Sequence, residues 1–139
     1  MLRHLGALLL GLLAGNLWNA ALVLLNTRVL FPAPEGLDFS AGPEMRAYVA
    51  SLPAVSFLVV IVAHVGQVAI GGLVAARLAV SRRAWLVGVI GVLTGAGAVY
   101  HQVAIGGPDW MWVDVGLVLA VTIGLARRVS RAERFPSGA

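Results

Sequence analysis

The chain contains no cysteine and no lysine, and only 12% of its 139 residues are charged. Without cysteine there is no disulfide, no thiolate metal site, no thiol nucleophile and no palmitoyl anchor. Soluble domains carry about 25% charged residues. So few charges cannot clothe a water-facing surface, so most of the surface is expected to face lipid. Catalytic signatures are missing too. There is no phosphate-binding P-loop, no H-E-x-x-H, no G-x-S-x-G and no pair of carboxylates inside an apolar stretch. Ser56 and His64 share one apolar stretch, but their spacing corresponds to about 12 Å of helical rise, too far for a nucleophile and its base.

Hydrophobic residues are abundant, at 60% of the chain. They gather in four stretches, at about 5–25, 54–78, 85–100 and 110–126. A membrane-crossing helix needs about 20 apolar residues. The expected fold is therefore all-α: a four-helix transmembrane bundle of two antiparallel hairpins, forming a single domain over 1–139. The first stretch is longer than the apolar core of a signal peptide, so it reads as a retained span.

The only long connection is the loop 26–53. Its segment Phe31-Pro32-Ala33-Pro34 is too rich in proline to be helical and ends the first span. Further on, Pro43-Glu44 suits a helix start. Met45, Tyr48, Val49 and Leu52 then form one apolar stripe. A short interfacial helix from Pro43 to about Ser51 is expected, as a connector capping the bundle or as a lid.

All ten basic residues are arginine. Eight of them fall at one set of span ends, and Arg28 and Arg46 at the other. Arg77, Arg82, Arg83, Arg127 and Arg128 read as topology anchors that can also meet anionic lipid headgroups. This bias puts both termini in the cytoplasm, with 127–139 as a tail. The all-arginine, Ala- and Gly-rich composition points to a bacterium, and so to its inner membrane. The pI of about 11.1 comes from these anchors and implies no nucleic-acid partner.

Small residues recur at helical spacing: Gly11 with Gly15, Gly71 with Ala75, Gly72 with Ala76, Gly91 with Gly95, and Gly116 with Ala120. Helices in lipid associate through such faces. They serve packing inside the bundle, or a homo-oligomer or larger membrane complex.

The polar residues inside the spans carry the candidate chemistry. Asn16 and Asn19 in the first span and His64 and Gln67 in the second lie at similar depth, and one buried cluster of the four is expected. Asp114 is the only acidic residue inside a span. It is the leading candidate for a proton or cation site, with Tyr100, His101 or Arg46 as possible partners. His4 and His101 are placed at span ends, away from the depth of His64, so no metal, haem or other cofactor is expected.

The segments Leu30-Phe-Pro-Ala-Pro-Glu-Gly-Leu-Asp38, Pro43-Glu-Met-Arg-Ala-Tyr48, Ser51-Leu-Pro53, Gly71-Gly-Leu-Val-Ala-Ala-Arg77 and Pro108-Asp-Trp-Met-Trp112 resemble those of a family of uncharacterised bacterial four-span membrane proteins. The chain departs from that family's pattern at His64 and Gln67, where a bulky aromatic and a small residue are usual. The resemblance implies the topology and no activity. The expected function is a non-enzymatic, oligomeric accessory or assembly subunit. The alternative is a small transporter or channel for a proton, cation or small apolar solute, built on the intramembrane polar residues.

Overall fold

Proline and glycine set most of the helix boundaries in the computed structural model, which describes residues 2–40 and 42–134. Helix α1 spans Leu2–Leu25 and runs on through a single wide π-helical turn, Asn26–Leu30, before Pro32 stops it. Helix α2 is Pro43–Ser51, with Pro43 in its first turn and Gly42 before it. Helix α3 is Ala54–Leu78, started by Pro53. Helix α4 is Arg83–Ile105 and ends on Gly106, whose φ of 83° is the left-handed conformation that closes a helix. A 3-10 turn, Asp109–Met111, leads into α5, Trp112–Arg134. The outermost residues of the expected tail, 135–139, and Ala41 lie outside the described residues.

Three of the helices run past the expected span ends. The first helix does not stop at Leu25, because Asn26 and Thr27 do not break a helix; the Thr27 hydroxyl donates to the Val23 carbonyl and keeps the turn closed. Helix α4 does not stop at Tyr100. The breakers are Gly106, Gly107 and Pro108, so His101 lies a full turn inside α4. Helix α5 also continues past Ala126 through the arginines to Arg134.

Among the described residues, α1, α3, α4 and the 109–134 segment are each long and apolar enough to cross a membrane. Their outer faces are apolar as well: Leu9, Leu13 and Leu17 of α1 are 55%, 55% and 62% exposed. A continuous leucine face of this kind belongs against lipid. The chain is a small multi-pass membrane protein.

Helix α3 is central and packs against α1, α4 and α5. Gly11 meets Gly71, and Gly15 meets Gln67; Asn26 meets Ser56. This falling register makes α1 and α3 antiparallel. Gly91 against Thr122 and Gly95 against Val118 give the same relation between α4 and α5. At the arginine-rich end, Ala7 of α1 joins Ala75, Ala79, Leu86 and Ile90 in one core cluster. Toward the loop end α1 stays with α3 and leaves α4. The wedge so opened is roofed by α2, whose Val49 packs with Phe57, Ile105 and Met111. Tyr48 Oη donates to the Phe31 carbonyl at 2.8 Å, and Arg46 Nε to the Ala104 carbonyl at 3.1 Å. These two bonds tie α2 to both sides of the wedge.

Candidate functional site

The wedge holds a cavity of about 420 Å³, within the usual range of about 300–1,000 Å³ for small-molecule sites. Its wall is built from α1, α2, α3, α4 and the start of α5, and is mostly apolar. Polar side chains still reach it from α1, α2, α3, α4 and α5.

His64 lies about three turns into α3 and is 7% exposed. Asp114 is in the first turn of α5, where a carboxylate is favourably placed against the positive end of the helix dipole. Helices α3 and α5 run side by side, and His64 Nδ1 and Asp114 Oδ2 are hydrogen-bonded at 2.6 Å. Asp114 is 2% exposed. Its other oxygen, Oδ1, has no hydrogen-bond partner among the described residues. The partner of Asp114 is thus His64, and not Tyr100, His101 or Arg46. Arg46 is turned away, onto the Ala104 carbonyl.

His101 stands beside this pair, its ring centroid 5.9 Å from that of His64 in an edge-to-face arrangement. The expectation that His101 lies at a different depth is therefore corrected. The extra turn of α4 beyond Tyr100 draws it inward. His101 is exposed and lines the cavity beside the buried pair. Among the described residues no group of three His, Asp or Glu side chains is arranged to hold a metal ion.

Asn26 is the residue the sequence does not single out. The wide turn at 26–30 rotates it inward, where it is 5% exposed. Its Nδ2 donates to the Ser56 carbonyl at 3.2 Å. Its Oδ1 has no partner among the described residues. Single wide turns of this kind are frequent at functional sites, but they leave no mark in a hydropathy pattern. Gln102 also lines the cavity, and its Nε2 closes the end of α4 by donating to the Gly107 and Pro108 carbonyls at 2.9 and 3.0 Å.

The expected cluster of four polar residues divides. Asn19 and His64 line the cavity. Asn16 and Gln67 do not. Asn16 is exposed and donates to the Leu12 carbonyl of its own helix at 2.8 Å, while Gln67 Nε2 reaches Asn16 Oδ1 at 3.4 Å. The cause is rotation: Gly15 sits against Gln67 at the crossing point, which leaves Asn16 on the flank of α1.

The small residues lie as follows. A Cβ on Gly11 would stand 2.6 Å from the Gly71 carbonyl oxygen, on Gly15 2.6 Å from the Gln67 carbonyl oxygen, and on Gly72 2.8 Å from Leu125. At Gly91 it would collide with Thr122, whereas at Gly95 it would meet Val118 at an ordinary 3.8 Å. Arg77, Arg82, Arg127 and Arg128 are exposed at the opposite end from the cavity. There Arg83 Nε donates to the Ala79 carbonyl.

No protein-family model, no curated protein and no solved structure matches the chain.

Proposed function

We propose that the protein is a proton-linked carrier of a small solute, with the cavity as the binding site and the His64–Asp114 pair as the proton site. One observation carries this: a buried, hydrogen-bonded imidazole–carboxylate pair forms part of the wall of a cavity inside a membrane protein. Ionisable groups at membrane depth are costly and mark ion or substrate paths. Imidazole is the side chain whose charge changes in the physiological range. His101, beside the pair and exposed, supplies a second station toward the opening. In this account the two hairpins α1–α3 and α4–α5 cross a bacterial inner membrane, in keeping with the four-span family that the loop segments resemble. The arginine-rich end is cytoplasmic, and α2 lies along the outer interface.

The test is an imposed pH gradient across liposomes carrying the protein, read by an entrapped pH dye while a panel of small amines, alcohols and carboxylates is added. The account expects at least one class to speed the collapse of the gradient over that in protein-free liposomes, and expects Asp114→Asn to remove the effect. Wild-type liposomes that respond to no class overturn it.

A second function, an oligomeric accessory subunit, is favoured by a different face. Gly116, Ala120 and Gly124 are exposed on α5, and a Cβ added at Gly116 or Gly124 meets open space. Such a stripe permits close approach of another helix. Native mass spectrometry of Gly116→Leu and Gly124→Leu tests it: an oligomer in the wild type that these changes dissociate supports the assembly role, and a wild-type monomer contradicts it.

A further inference from the structure

Resting on the carrier function above, the geometry points to an amphiphilic ammonium ion with a second hydrogen-bond donor at its far end as the solute. The buried polar atoms on the cavity wall that lack a partner among the described residues are Asp114 Oδ1 and Asn26 Oδ1. Both are acceptors, and both residues are more than nine-tenths buried. An unpaired buried acceptor is costly, and only a donor relieves it. A carboxylate or phosphate solute would set lone pairs against lone pairs. An ammonium supplies N–H donors together with the charge that Asp114 favours.

The two acceptors are well separated. Asn26 is held at the Ser56 carbonyl and Asp114 at His64. Ser56 and His64 are about 12 Å apart along α3. The wall between them is apolar, with Val60, Phe57, Val49 and Met111. The solute is therefore elongated: an ammonium on Asp114, an apolar middle, and a hydroxyl or second N–H on Asn26.

The other charged or titratable groups around the pair agree with this. His64 holds Asp114 from α3, and His101 flanks it from α4. Tyr48 of α2 lines the cavity, with its hydroxyl spent on the Phe31 carbonyl. Arg28 lies exposed at the rim, where solvent screens it. A cation seated on Asp114 competes with a positively charged His64 for the same carboxylate. Solute binding therefore favours proton release from the pair, which is the exchange a carrier needs.

The experiment uses the full chain in nanodiscs of phosphatidylglycerol and phosphatidylcholine, with binding read from tryptophan fluorescence, since Trp110 packs edge-on against the cavity residue Phe57 at 6.0 Å. The probes are phenethylamine, tyramine, which adds a phenolic hydroxyl at the far end, and phenylpropionate. Tyramine should bind about fivefold more tightly than phenethylamine, an advantage lost in Asn26→Leu, and phenylpropionate should not bind. Asp114→Asn should weaken both amines about tenfold or more; the head-group comparison in the wild type needs no variant to fold. Ethanolamine lipid carries the same head, and its displacement of tyramine when mixed into the nanodiscs would assign the ammonium to lipid. Phenylpropionate binding as well as the amines overturns the inference. So does a failure of both amines to bind, leaving water on the two acceptors. If alcohols or carboxylates still speed the collapse of the pH gradient, only the amine class is lost; if nothing does, the carrier function falls with it.

Discussion

Gly11 of α1 and Gly71 of α3 meet backbone to backbone: a Cβ on Gly11 would lie 2.6 Å from the Gly71 oxygen, and one on Gly71 would lie 2.7 Å from the Gly11 oxygen. Neither neighbour is a flexible side chain, so neither can give way without moving its helix. Gly11→Val and Gly71→Val should each destabilise the protein by about 1–3 kcal/mol, the usual cost of overpacking. Gly88→Ala, with open space around it, should not. Thermal unfolding in detergent followed by tryptophan fluorescence checks this, and equal midpoints for all three variants would contradict the crossing.

A parallel contrast holds between α4 and α5. A side chain at Gly91 collides with Thr122, while one at Gly95 meets Val118 at an ordinary contact distance. Gly91→Ala should lower the thermal midpoint, and Gly95→Ala should leave it unchanged or raise it slightly, since alanine is the better helix former by up to about 1 kcal/mol. The same unfolding experiment reads both.

The roof helix α2 should loosen at alkaline pH. Burial pushes the Tyr48 phenol above its usual value of 10.0. A group raised in the folded state contributes stability that is fully present below its ordinary value and is lost as pH rises through the raised one. The phenolate also has no proton to give the Phe31 carbonyl. Ultraviolet titration of tyrosinate should show one step displaced upward, and Tyr48→Phe should remove that step. A single unshifted step in the wild type would contradict the docking of α2.

Much of this architecture is legible in the residues. The apolar runs locate the long helices, and Pro43-Glu44 with the stripe through Tyr48 and Val49 predicts α2 over the range it occupies. The end of α4 is misplaced because His101 and Gln102 look like a polar break, whereas the helix stops only where Gly106 supplies a left-handed residue. That one turn decides whether His101 stands beside His64. Asp114 and His64 are recognisable singly as costly polar groups, but their pairing depends on the stagger of α3 against α5, which hydropathy does not encode. Asn26 is invisible for a related reason. One wide turn rotates it from a loop position into the cavity wall, and no local residue pattern announces such a turn.

Breaking the pair should cost more than any surface change. His64→Ala leaves a buried carboxylate without its donor, and removal of one member of a buried pair typically costs about 3–5 kcal/mol. Asn16→Ala, at an exposed position on the flank of α1, should stay within about 0.5 kcal/mol of the wild type. Denaturant unfolding in mixed micelles separates the two.

The central claim is that His64 and Asp114 act as one proton site. Nitrogen-15 NMR of histidine-labelled protein in liposomes, followed over pH, tests it most directly, with the three histidines assigned by single substitutions. The account predicts that the His64 Nδ1 resonance is that of a nitrogen hydrogen-bonded to a carboxylate, and that Asp114→Asn changes it. A His64 signal that is identical in wild type and Asp114→Asn at every pH would contradict the account.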